Sequence, residues 1–144
     1  MTKEIVVVAS GYFDPIHAGH VEYLEKAKAL GDKLIVIVNN TKQAILKKGY
    51  EFMPLYERIK ILMALKFVDE VFLSIDEDAS VVNSLEMIKP DIFAKGGDRV
   101  VGNIPEREIC NKLGIKIIDG LGEKIQSSSD LVKKQKENKK PENI

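Results

Sequence analysis

Ile5-Val6-Val7-Val8-Ala9-Ser10-Gly11-Tyr12-Phe13-Asp14-Pro15-Ile16-His17-Ala18-Gly19-His20 is the stretch that decides the fold. Its first five residues form a continuous apolar, β-branched run, the pattern of a strand covered on both faces. The residues that follow, Val21-Glu22-Tyr23-Leu24-Glu25-Lys26-Ala27-Lys28-Ala29-Leu30, have the spacing of an amphipathic helix. Two histidines and a glycine therefore sit where a strand hands over to a helix, the place where open α/β sheets bind ligands. A helix N-terminus adds unpaired N–H groups and the positive end of a dipole, which suits phosphate. His17 and His20 are the only histidines in the chain.

Outward from this stretch, strands and helices alternate. Continuous apolar runs place strands at 4–10, 34–39, 69–74, 91–95 and 115–119, and helical spacing places helices at 18–30, 55–66, 79–89, 105–113 and 128–136. The alternation predicts an α/β fold, a Rossmann-like, doubly wound sandwich around a five-stranded parallel sheet. Gly31 and Gly114 follow helices and suit the left-handed position after a helix end. Pro54 suits a helix start. Leu55, Ile59, Leu62, Met63 and Leu65 form an apolar stripe expected to pack in the core.

The chain has 144 residues, 44% of them hydrophobic, which fits one domain, taken as residues 1–132. The tail 133–144 is Lys-rich and too polar to repay its own ordering, so it is expected to be disordered. Twenty-two basic residues balance 22 acidic ones, so net charge points to neither nucleic acid nor membrane. No apolar run is long enough to span a bilayer, and the first residues carry no signal-peptide pattern. The single Cys110 excludes an internal disulfide, fits a cytoplasmic setting, and reads as a small packed residue on a helix.

Three readings of the histidine pair stand side by side. Three-residue spacing at a helix start puts both rings on one side, as in a capping pair. Two imidazoles so placed also suit zinc, but a zinc site needs further ligands, and the chain offers no other histidine and one cysteine. The third reading is a pair of donors aimed at a polyphosphate, with Gly19 allowing close approach. Asp14 reads locally as a turn residue, Lys47-Lys48 as a solvated loop, and Arg58 as the polar face of an apolar helix. Gly96-Gly97 reads as a turn, and Ser127-Ser128-Ser129 as a helix cap.

The stretch Gly11 to His20 resembles the His-x-Gly-His signature of the cytidylyltransferase-like nucleotidyltransferase superfamily. Leu30-Gly31-Asp32-Lys33-Leu34-Ile35-Val36 with Val38-Asn39 is similar to its second strand, and Glu57-Arg58-Ile59-Lys60-Ile61-Leu62 to its arginine-bearing helix. Ala94-Lys95-Gly96-Gly97-Asp98 resembles the Lys-Gly-Gly-Asp of bacterial ADP-heptose synthases, and Ile125-Gln126-Ser127-Ser128-Ser129 the late Ser/Thr motif. These stretches stand in the family's order over roughly residues 4–132.

The resemblance implies a reaction. A phosphate oxygen of an acceptor attacks the α-phosphorus of a nucleoside triphosphate, and pyrophosphate leaves. Because the attacking group is already an anion, catalysis is mostly positioning and charge stabilisation. The resemblance gives His17, His20 and Arg58 catalytic roles on the phosphates. It puts Tyr12, Phe13, Asp14, Gly19, Lys95, Gly96, Gly97, Asp98, Ser127, Ser128 and Ser129 around the nucleotide, with Asp14 near the phosphates and their Mg²⁺. Lys47 and Lys48 would take the acceptor phosphate. No dedicated protein metal site is implied; Mg²⁺ would arrive with the triphosphate.

Two subfamily patterns are altered. The arginine that precedes the late motif in glycerol-phosphate cytidylyltransferases is missing, with Lys124 displaced nearby. Arg99 stands where heptose enzymes carry an aromatic residue, and Val100 to Pro105 matches neither. The expectation is adenylyl transfer from ATP to a sugar 1-phosphate by a cytoplasmic homodimer. The alternatives are a CTP-dependent glycerol-3-phosphate cytidylyltransferase, a flavin adenylyltransferase resembling FAD synthase, and a non-catalytic nucleotide-binding protein.

Overall fold

The computed structural model describes residues 3–96 and 104–121. Five strands, β1 (Val6–Gly11), β2 (Lys33–Val38), β3 (Glu70–Leu73), β4 (Ile92–Gly96) and β5 (Lys116–Leu121), form one sheet in the order β3-β2-β1-β4-β5. All four pairings are parallel. The helices are α1 (Ala18–Lys28), α2 (Thr41–Lys48), α3 (Leu55–Ala64), α4 (Val82–Ile88) and α5 (Arg107–Leu113).

Alternation along each strand splits the core in two. Val7, Ala9, Leu34, Val36 and Val38 meet Tyr23, Leu24 and Ala27 of α1 and Leu62 of α3. Val8, Ile35, Ile37 and Phe93 meet Leu85 of α4 and Cys110 of α5. Both faces are thus covered, which is why the strands read as continuous apolar runs. The five predicted strands and the helices predicted at 18–30, 55–66, 79–89 and 105–113 are observed, with ends shifted by a few residues.

Three details differ from the sequence reading. The segment taken as a loop around Lys47-Lys48 is α2. Asn40 and Gln43 cap it reciprocally: the Asn40 side chain accepts the Gln43 N–H at 2.8 Å, and Gln43 Oε1 accepts the Asn40 N–H at 3.0 Å. Gly49 closes it in the left-handed region at φ 87°. Gly31 is not left-handed; its role is space, since a Cβ there would lie 2.8 Å from the Ile5 carbonyl oxygen. Gly114 does take positive φ, at 73°. Met63 departs from its stripe and is 64% exposed, while Leu62 is fully buried.

The chain runs outward from β1 to β3 and then returns to β4 on the other side of β1. The strand order reverses between β1 and β4, and there the two strands separate. Their pairing covers only Val7 to Ala9 against Ile92 to Ala94. Beyond it the Tyr23 hydroxyl of α1 stands between them, accepting the Ser10 N–H at 3.2 Å and donating to the Ala94 carbonyl at 2.6 Å. Gly96 makes this possible, because a Cβ there would meet the Tyr23 ring at 3.0 Å. No described helix is long and apolar enough to cross a membrane.

Candidate active site

At the carboxyl ends of β1, β2 and β4 lies a cavity of about 450 Å³. Ser10, Gly11, Tyr12, Asn39, Lys47, Lys95 and Gly96 are among its walls. This is the topological switch point, where α/β sheets open a crevice for ligands. The β1–α1 loop forms one rim and reaches from the cavity to the two histidines.

That loop is tightly built. Phe13 is buried and left-handed at φ 53°, an uncommon conformation for a bulky residue. Its ring packs where a Cβ of Gly11 would stand, 3.0 Å away, and meets His20 edge-on at 5.0 Å between centroids. The Asp14 side chain is fully buried. It accepts from Lys48 Nζ at 2.9 Å, from the Phe52 N–H at 2.9 Å and from the Met53 N–H at 2.5 Å. Burial alone would raise its pKa, but the Lys48 ammonium and the two N–H groups outweigh it and hold the carboxyl below its ordinary value. Asp14 therefore clamps the α2–α3 connection onto the β1–α1 loop. The expectation that it sits beside a nucleotide's metal ion meets a carboxylate already occupied by protein donors.

His17 is the N-cap of α1. Its Nδ1 accepts the Gly19 N–H at 3.1 Å, and His20 Nδ1 accepts the His17 N–H at 3.1 Å. The box is the one usually made by Ser and Glu, built here from two imidazoles. The rings stack at 3.9 Å between centroids. Because both Nδ1 atoms accept, the hydrogen-bond network assigns each neutral ring its proton at Nε2. Capping and ligand binding are thus compatible: one nitrogen of each ring starts the helix, and the other is left with an N–H to donate.

Both histidines resist protonation. Burial lowers the His17 pKa. Burial and the neighbouring His17 lower that of His20 to about 4. The folded protein therefore binds fewer protons at His20 than the unfolded chain between about pH 6.5 and pH 4, and stability falls with pH through that window. The stability due to the pair is fully present above about pH 6.5 and is progressively lost below it. Protonating either Nδ1 also removes an acceptor of the cap. Urea unfolding at stepped pH should show this decline, and a His17→Gln/His20→Gln double variant should show a shallower one. Parallel pH dependence in the two proteins would rule the histidines out as its source.

Arg58, expected on the triphosphate, is fully buried within the protein. Its Nε donates to the Met53 carbonyl at 3.1 Å, Nη1 to the carbonyls of Tyr12 and Asn39 at 2.9 Å each, and Nη2 to the Glu51 carboxylate. It ties α3 to the two cavity rims, a positioning role. Lys48 is likewise engaged, donating to both the carboxylate and the carbonyl of Asp14. Lys47 lies over the Tyr12 ring at 4.5 Å on the cavity wall, and Lys95 over Phe93 at 5.1 Å. Gly97, Asp98, Ser127, Ser128, Ser129, the 128–136 helix and the 133–144 tail lie outside the described residues.

Cys110 is buried, and burial together with Glu106 pushes its thiol up to about 11, so it packs rather than reacts. The sequence reading passed over Asn39, Tyr23 and Glu51. A signal existed for Asn39, a polar residue closing an otherwise apolar strand; none marked Tyr23, which looks like one more apolar helix position.

A family model described as cytidylyltransferase-like matches residues 8–138. The FAD synthase of Ferroglobus placidus is 46% identical over 110 residues, covering 76% of this chain and 70% of that protein. The bifunctional protein HldE of Hahella chejuensis is 36% identical over 126 residues, 86% of this chain but only 24% of its own length. Among solved structures, a lipopolysaccharide core biosynthesis protein from Thermoplasma volcanium superposes with a TM-score of 0.70 at 30% identity, covering 83% of this chain and 98% of that one.

Proposed function

The chain belongs to the cytidylyltransferase-like family of nucleotidyltransferases, and from that premise we propose that it transfers AMP from ATP to a phosphorylated acceptor, with FMN as the first candidate and FAD and pyrophosphate as products. The observation that carries the reaction class is the imidazole capping box, which leaves two neutral N–H donors at the start of α1, at the far end of the β1–α1 loop from Gly11 and Tyr12, which line the switch-point cavity.

The mechanism needs little covalent help. An acceptor phosphate oxygen attacks the α-phosphorus, the bond to the bridging oxygen breaks, and pyrophosphate takes the electron pair. Charge grows on the triphosphate oxygens as this happens. His17 and His20 would donate Nε2–H bonds to those oxygens, and their neutrality at pH 7 means they act as fixed dipoles that need no titration. Mg²⁺ enters as part of the nucleotide substrate, held by phosphate oxygens and water.

FMN is preferred over a sugar 1-phosphate because the FAD synthase match spans most of that relative, whereas the HldE match spans a quarter of a bifunctional protein. The cavity wall also carries the exposed Leu46, 62% exposed, and Tyr50 and Phe52, 56% and 64% exposed, follow within six residues of it, apolar surface that suits a planar acceptor. The sugar-phosphate reading is kept by the Lys95-Gly96-Gly97-Asp98 segment. Pyrophosphate release, measured with ATP or CTP against FMN, a sugar 1-phosphate and glycerol 3-phosphate, tests all three. ATP with FMN should be fastest by about tenfold or more, since a wrong base leaves buried polar groups unpaired. Faster release from CTP with glycerol 3-phosphate would replace this reading.

A further inference from the structure

Asn39 closes β2 and is 97% buried, with only 3% of its surface exposed, yet it lines the switch-point cavity. Its main chain is fully engaged: the N–H donates to the Gly11 carbonyl at 2.9 Å, and the carbonyl accepts from Arg58 Nη1 at 2.9 Å. Its side-chain Nδ2, by contrast, has no hydrogen-bond partner. A buried amide donor without an acceptor is unfavourable and calls for an explanation. These two bonds do not need this side chain, since any residue at position 39 other than proline could make both.

The surroundings specify what the donor awaits. Lys47 and Lys95 line the same cavity, and Glu106, the one carboxylate among its described walls, is turned to the Val81 N–H at 3.0 Å. A neutral donor beside two cations fits an anionic oxygen. The end of β2 also lies on the α2 side of the crevice, away from β4. The geometry points to Asn39 as a substrate-binding residue whose amide donates to a phosphate oxygen of the acceptor, fixing the attacking group beside Lys47. This inference rests on the transfer reaction proposed above.

The test uses the full ¹⁵N-labelled chain with a Mg²⁺-bound, non-hydrolysable ATP analogue filling the triphosphate site. The Asn39 side-chain N–H pair is identified by its disappearance in Asn39→Ala. Inorganic phosphate and FMN are then titrated separately. The Asn39 pair should move with both, and Asn39→Ala and Asn39→Asp should weaken phosphate binding by about tenfold, Asp the more because it adds a repelling charge. The Tm and the affinity for the ATP analogue should stay near wild type. If the Asp variant does not fold, Asn39→Ser takes its place. An Asn39 pair that stays still while other resonances move, or a large Tm loss in both Ala and Ser variants, overturns the inference. Phosphate moving the pair while FMN does not bind would uphold Asn39 and remove FMN as the acceptor.

Discussion

His17→Ala and His20→Ala should each lower turnover by about a hundredfold or more, the scale of removing one donor that stabilises developing charge. The Michaelis constant for the nucleotide should change much less, because the donors strengthen as charge accumulates at the phosphates. Each substitution also removes half of the box that begins α1, which for an ordinary cap is worth about 1 kcal/mol. The two contributions separate in a His17→Asn variant. Asparagine caps helices well, so stability should return while turnover stays low, since the shorter amide cannot place a donor where Nε2 stood. Steady-state kinetics alongside urea unfolding provide both readouts. Turnover that recovers together with the cap would reduce the histidines to structural residues.

The second large effect is expected at Arg58. Replacing it with methionine keeps bulk in the core but strands the carbonyls of Tyr12, Asn39 and Met53 and leaves the Glu51 carboxylate without its cation. Breaking a buried pair by deleting one partner costs roughly 3–5 kcal/mol, and unsatisfied buried acceptors add to that. Chemical denaturation should therefore show a loss of at least about 3 kcal/mol. Arg58→Lys should rescue only a minor part, because one ammonium cannot replace a planar fork that serves four acceptors. Activity per folded molecule should fall too, since Tyr12 and Asn39 form the cavity rim that Arg58 holds. A stable Arg58→Met protein with impaired nucleotide binding would instead place the guanidinium on the triphosphate.

Much of the architecture was legible because parallel sheets write a simple pattern: apolar runs for strands, helical spacing between them, and glycine where the chain must come close. Elsewhere a local signal carried two meanings. Asp14 and Arg58 are charged residues in a family-like motif, so both read as ligand contacts. What buries them, the amide groups of Phe52 and Met53 and the carbonyls of Tyr12 and Asn39, is main chain brought in from other elements and leaves no mark in residue identity. The capping half of the histidine reading is seen in the structure, and the same three-residue spacing that makes the cap leaves each Nε2 for the proposed donor role. α2 was missed for a different reason. Its cap is Asn40 with Gln43 rather than Ser with Glu, and its eight residues present little apolar stripe.

The Tyr23 hydroxyl has a mechanical meaning. In an ordinary parallel ladder the Ser10 N–H and the Ala94 carbonyl would be candidates to bond each other and draw the strands together; here a phenol is inserted between them. The gap at the mouth of the crevice is thus gauged by the length of a side chain and not by the repeat of the backbone. That side chain belongs to the helix begun by His17 and His20, so the gauge and the two imidazoles are parts of one rigid lever. Any shift of α1 toward or away from the sheet would alter the aperture and the reach of the imidazoles together. A family built on this frame could retune both for a wider or narrower acceptor by changing how one helix seats, with every strand left in register.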